Sequence, residues 1–167
     1  MFHIKTHLAS AFALAALLAT GFAGEHKLSK KDPVASINVP DAWKATETDD
    51  GLDIESPDEE IYINVEVNDG DSIEGAIEET FGYLKKNKVK IDKATEKKQE
   101  VKIRGMDVVN FDWDGTDADG ATKVSLTILG VAKKKLLLML YWASPEGEKK
   151  HKDDLKKIQD SIKPLEK

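Results

Sequence analysis

Cysteine is absent from this chain of 167 residues, so no disulfide framework can hold it and its fold rests on an ordinary hydrophobic core. The same absence excludes a thiol nucleophile and lipid attachment through a leader cysteine. The five prolines are spread along the chain, at positions 33, 40, 57, 145 and 164, and each falls at the edge of an apolar or alternating run rather than inside one. No glycine-rich phosphate loop and no G-x-S-x-G elbow is present. After the first segment, no apolar stretch approaches membrane length. Neither sign of charge dominates locally. Acidic and basic residues alternate throughout, with a net charge of −6, which argues against nucleic acid as a partner.

The amino-terminal segment has the three parts of a secretory leader in order. Lys5, flanked by His3 and His7, supplies a cationic start, and Leu8–Ala19 is almost unbroken Ala, Leu and Phe. Thr20-Gly21-Phe22-Ala23 then sets small residues third and first before a cut after Ala23. Residues 1–23 therefore read as a signal peptide, and the apolar run is too short for a lasting anchor. Its removal leaves 144 residues with a net charge of −7, enough for one domain, with no membrane span. The expected location is outside the cytoplasm: the periplasm in a Gram-negative host, the medium otherwise.

Residues 24–32 are polar and lysine-rich and read as a flexible arm ahead of a single domain at 33–167. That domain alternates short runs with turns. Val34–Val39 forms a strand stopped by Pro40-Asp41, Trp43–Thr48 a second, and Leu52–Glu55 a third ending at Ser56-Pro57-Asp58. Ile61, Ile63, Val65 and Val67 alternate with polar or aromatic neighbours, the signature of a strand with one buried face. Asp71 and Glu74 open a helix whose apolar stripe is Ile73, Ile77, Phe81 and Leu84. Strands then resume at Glu100–Arg104, through Val109, Phe111 and Trp113, and at Lys123–Val131. Leu136–Trp142 is apolar on both faces and so belongs at a sheet centre. Ser144-Pro145 opens a closing helix with Leu155, Ile158 and Ile162 as its core stripe, ended by Pro164. The order predicts an α+β fold: an antiparallel sheet flanked by an internal amphipathic helix and a C-terminal helix.

Several local motifs resemble the PsbP-like superfamily. They are Ile37-Asn38-Val39-Pro40-Asp41-Ala42-Trp43, Gly51-Leu52, Ser56-Pro57-Asp58, the amphipathic helix and Ser161-Ile162-Lys163-Pro164. The resemblance spans about Val34 to Leu165 and implies an antiparallel sheet with flanking helices. The resemblance implies no catalytic residue, and the superfamily's roles diverge, from an extrinsic photosystem protein to nuclear-import factors and exported bacterial domains of unassigned role.

Candidate chemistry is sparse. Past the leader only His26 and His151 remain, and His151, four residues before Leu155, reads as a half-buried structural histidine at the border of the helix stripe. Asp112, Asp114, Asp117 and Asp119 form the densest acidic cluster and could hold calcium through oxygen ligands, although the EF-hand spacing fails and an Asp-Gly hairpin turn also explains Asp119-Gly120. Cleavage after Ala23 would expose Gly24-Glu25-His26. There the terminal amine, two amides and an imidazole suit planar Cu(II) or Ni(II) ligation. Lys149, Lys150, Lys152, Lys156 and Lys157 lie beside acids and read as a solvated helix face. The expected function is a non-enzymatic exported module that binds an envelope or extracellular protein. The alternative is a metal-binding accessory protein using Gly24 and His26, with no other cofactor; an enzyme using His151 and a carboxylate stands third.

Overall fold

The computed structural model describes residues 22–165 except 69–72 and 104. Residues 1–21 of the leader and the capping Asp71 lie outside the described residues. The chain runs β1 (Phe22–Leu28), β2 (Ala35–Pro40), β3 (Lys44–Glu47), β4 (Gly51–Glu55), β5 (Ile61–Asn68), α1 (Ile73–Lys86), β6 (Lys90–Ile103), β7 (Met106–Thr116), β8 (Ala121–Ala132), β9 (Lys135–Ala143), α2 (Pro145–Lys150), α3 (Lys152–Ser161) and β10 (Lys163–Pro164). Seven strands form one sheet in the order β3-β4-β5-β9-β8-β7-β6, and β1, β2 and β10 form a second. Every pairing is antiparallel, so the fold is α+β as expected.

The apolar run Leu136–Trp142 lies in β9, fourth of the seven strands, where both faces are covered. On one face α1 packs over β7, β8 and β9, joining Ala76 and Leu84 to Phe111, Trp113, Leu126, Ile128 and Leu138. On the other face the three-stranded sheet and α3 close over β4, β5 and β9, burying Leu28, Ile37, Val39, Ile63, Val65 and Ile158. The register fixes which residues share this second face. Ile63 lies opposite Tyr141, Tyr141 opposite Ser125, Ser125 opposite Asp112, and Asp112 opposite Lys97.

Four expectations need correction. Residues 24–28 do not form a free arm: they pair with β2 from Gly24 opposite Val39 to Leu28 opposite Ala35, and Leu28 is fully buried. Within 24–28 the buried Leu28 and the hydrogen bonds offered by the edge of β2 hold the segment in place. The closing helix is two helices. Ser144 caps α2 by accepting the Gly147 N–H at 2.9 Å, and His151 then leaves helical geometry at φ −101°, ψ 16° and starts α3. The stripe of α1 is rotated: Ala76, Thr80 and Leu84 are buried, Ile77 and Phe81 partly so, and Ile73 is exposed. The strand expected at Glu100–Arg104 begins at Lys90, because β6 is an edge strand whose mostly polar residues carry no strong alternation.

Candidate binding groove

The covering layer is narrower than the large sheet. The small sheet and α3 sit over β4, β5 and β9, while β6, β7 and β8 extend past them. Ile158 of α3 is buried, and the Asn38 N–H donates to Ser161 Oγ at 2.8 Å, fixing the helix to β2. Between α3 and the projecting strands runs an open groove of about 530 Å³. Asn110, Ser125 and Thr127 form its floor, Gln99 and Val101 one wall, and Lys152, Leu155 and Gln159 the other.

The floor is polar and internally satisfied. Asn110 Oδ1 accepts from Thr127 Oγ1 at 2.7 Å and from Ser125 Oγ at 3.2 Å, while Asn110 Nδ2 donates to Asp112 Oδ2 at 2.8 Å. Tyr141 OH donates to Glu148 Oε1 at 2.6 Å, joining β9 to α2. Burial, reinforced by that hydrogen bond to a carboxylate, pushes the Tyr141 phenol well above its ordinary range, so it stays a neutral donor. Towards β10 an apolar recess of about 280 Å³ adjoins the groove through Val108, Thr127 and Met139 and is lined by Met106, Leu129 and Ile162. Towards the β7–β8 turn a polar recess of about 320 Å³ shares Asp112, Tyr141 and Glu148 with the groove. The groove thus runs from a polar, charged end to an apolar one. It offers orientation to a ligand that is polar on one side and apolar on the other.

The two hydroxyls of the floor donate to an amide oxygen, which cannot take a proton from them, so neither is activated as a nucleophile. The other Ser, Asp and His grouping lies elsewhere, at the β4–β5 turn. There Ser56 Oγ donates to Asp58 Oδ1 at 2.7 Å, and His151 Nε2 lies 2.9 Å from Asp58 Oδ2. The aspartate stands between serine and histidine, whereas general-base activation needs the histidine between them. Ser56 Oγ also accepts the Ile61 N–H, and His151 meets Trp43 edge-on at 5.4 Å. Hydrogen bonds from Lys150 and His151 hold the Asp58 carboxyl well below the usual carboxylate range. This cluster fastens the junction of α2 and α3 to the sheet, which is the structural role read for His151.

The four aspartates do not converge. Asp112 faces the groove, Asp114 is ion-paired with Lys123, and Asp117 Oδ1 accepts the N–H groups of Asp119 and Gly120 within the hairpin turn. Gly24 and His26 lie in β1, where His26 sits opposite Ile37 and its Nδ1 is 3.9 Å from Glu47 Oε1. Ligation by the amides of Glu25 and His26 would require the start of β1 to leave β2. Among the described residues no group of three or more His, Asp or Glu side chains is arranged to hold a metal. Of the lysines of the last helices, Lys150 pairs with Asp58 at 2.6 Å, Lys156 with Asp160 at 2.7 Å and Lys157 with Asp154 at 3.2 Å, all at the surface.

The groove residues Gln99, Asn110, Ser125, Thr127, Tyr141 and Glu148 escape a reading of the sequence, because polar residues at every second strand position look like a solvated face. One signal is present. This face of β7 and β8 carries Asn110, Ser125 and Thr127, uncharged polar residues, in a chain whose other polar strand positions are mostly charged.

No protein-family model matches the chain, and no curated protein matches it. Solved structures do. The solution structure of cyanobacterial PsbP (CyanoP) from Synechocystis superposes with a TM-score of 0.60 at 9% identity, over 91% of this chain and 99% of that one. The fold is PsbP-like. LpqN of Mycobacterium tuberculosis, described as involved in cell envelope biogenesis, superposes with a TM-score of 0.58 at 13% identity, over 86% of this chain and 91% of that one. A Bacteroides thetaiotaomicron protein matches at a TM-score of 0.53 and 15% identity, over 80% of this chain and 46% of its own. The PsbP-like core is therefore shared across chains with little sequence in common, and function must be argued from the groove itself.

Proposed function

We propose that this protein is an exported, non-enzymatic module that binds a partner protein of the envelope in the groove between α3 and β6–β8. The observation that carries the reading is the groove itself: a long open cleft with an internally satisfied polar floor, one apolar end and no activated nucleophile or base. Structural neighbours that include cyanobacterial PsbP and a protein described as involved in cell envelope biogenesis support it, as does the leader pattern of residues 1–23. No helix among the described residues is long and apolar enough to cross a membrane.

Site-specific photocrosslinking in the native host tests the reading. A crosslinker at Gln99, on the groove wall, should yield one discrete heavier adduct, whereas one at Glu78, exposed on α1 across the sheet, should not. Equal adducts from both positions, or none from Gln99, would refute the groove as the binding site. Amino-terminal sequencing of the same material should begin at Gly24, and a chain still beginning at Met1 would overturn cleavage.

A further inference from the structure

The two edges of the large sheet are built differently. β3 is only four residues long, too short to offer an extended pairing edge. β6 is fourteen residues long. Its pairing with β7 is interrupted between Asp92 and Lys97 and then runs unbroken from Lys97 opposite Asp112 to Ile103 opposite Met106. Beyond β6, among the described residues, no further strand is paired. Exposed edges are ordinarily guarded by charge, and Lys98, Glu100 and Lys102 on the face turned away from the groove do that. The groove face does not follow the rule. Val101 and Ile103 stand side by side there at 46% and 44% exposure, two of only three large exposed apolar side chains among the described residues, and both line the groove.

Charge then selects the occupant. The regular segment Lys97–Ile103 carries three lysines and one glutamate, within a chain whose net charge is −6. Lys98 pairs with Glu100 at 2.6 Å and Lys102 with Asp107 at 2.5 Å, both exposed surface pairs of small worth that leave each ammonium room for a second carboxylate. A second copy of this chain pairing along β6 would set the basic segment against itself. We infer that β6 accepts an acidic, extended segment of the partner protein as an eighth strand, with apolar side chains at alternate positions over Val101 and Ile103 and acidic side chains between them facing Lys98 and Lys102. Backbone hydrogen bonds supply affinity in such strand addition, and the alternating side chains supply specificity. The inference rests on the groove reading, because the apolar half of the added strand continues the groove wall.

The probe is a capped seven-residue peptide alternating valine and glutamate, labelled for fluorescence anisotropy and added to the full mature protein. It should bind and protect the β6 amides between residues 97 and 103 from hydrogen exchange. A valine–lysine twin should bind at least about tenfold more weakly, and the difference should shrink as salt screens the surface charges. Two further twins, N-methylated on odd or on even residues, should behave oppositely, because only alternate amides of an added strand face its neighbour. One should lose about tenfold in affinity or more, and the other should keep it. The double variant Val101→Ala/Ile103→Ala should weaken binding with an unchanged melting point, since both side chains are half exposed. No binding of the glutamate peptide, equal binding of both N-methylated twins, or binding without protection of β6 would each overturn strand addition. If the Gln99 adduct forms while the β6 amides of that complex stay unprotected, strand addition fails and the groove reading stands. If the peptide protects β6 but Gln99 yields no adduct, the groove reading fails instead.

Discussion

Leu138→Ala should weaken the fold by an amount that follows from its place. Leu138 is 2% exposed, lies on the central strand between Glu66 of β5 and Ile128 of β8, and packs in the cluster beneath α1. Truncation removes three carbons from that cluster, about 2.4 kcal/mol at about 0.8 kcal/mol per buried methylene. A cavity contribution adds to this wherever the surroundings cannot collapse, and Leu-to-Ala changes in cores span about 2–5 kcal/mol. A recess of about 160 Å³ already lies between α1 and the sheet, lined by Leu138, Leu140, Thr80 and Tyr83. The new space therefore opens onto an existing gap, and we expect about 2–3.5 kcal/mol, the lower half of the range. For a domain of this size that is a fall in melting temperature of roughly 10 °C. Urea denaturation monitored by Trp113 and Trp142 fluorescence measures it, with Val101→Ala as a surface control costing under about 0.5 kcal/mol. A loss below about 1 kcal/mol for Leu138→Ala would mean that β9 is not the centre of the core.

Gly51→Ala should cost more than about 1 kcal/mol in the same assay, because a Cβ there would sit 1.8 Å from the Val65 carbonyl oxygen and β4 cannot shift without breaking its register with β5. An unchanged midpoint would contradict that close approach. Glu66 is held above the ordinary carboxylate range, chiefly by burial and then by repulsion from Glu79, Asp50 and Asp53. Its protonated form is the one the fold favours, so the stability it contributes is complete below the unfolded pKa and is lost as pH rises through the raised folded pKa. Glu66→Gln should accordingly raise the melting temperature at neutral pH and lose that advantage in acid; equal melting at both pH values would refute it. Protein beginning at Gly24 should bind planar Cu(II) only with loss of hydrogen-exchange protection where β1 meets β2. Copper held with that pairing intact would contradict the requirement that whichever of the adjacent Glu25 and His26 amides faces β2 detach.

The fold was legible where one face of a strand is apolar and the other is not. Ile61–Val67 announces a half-buried strand, and Leu136–Trp142 announces a centre, because each alternation or its absence reflects how many faces are covered. The resemblance carried by the Ile37–Trp43, Gly51-Leu52 and Ser56–Asp58 motifs pointed to the same architecture. β1 was not legible, since Leu28, its buried anchor among residues 24–28, stands among lysines and its hydrogen bonds come from a strand that does not itself require a partner there. The break at His151 was hidden because α2 and α3 together keep a helical spacing of apolar residues. What interrupts them is a tertiary contact, Asp58 with Lys150 and His151, arriving from some ninety residues away. The groove was the least legible feature. Asn110, Ser125 and Thr127 look like a solvated face until the layer above is known to stop short of them.

The central claim is that the groove between α3 and β6–β8 holds the partner, and filling it is the most direct test. Gln159 is exposed on α3 and lines both the groove and its apolar recess, so Gln159→Trp occupies the cleft without entering the core. The measurement is the yield of the Gln99 photoadduct in the native host with and without that substitution. The account predicts a loss of about tenfold or more at an unchanged melting temperature, the affinity change expected when a ligand meets an occupied site. An undiminished adduct from correctly folded Gln159→Trp protein would contradict it.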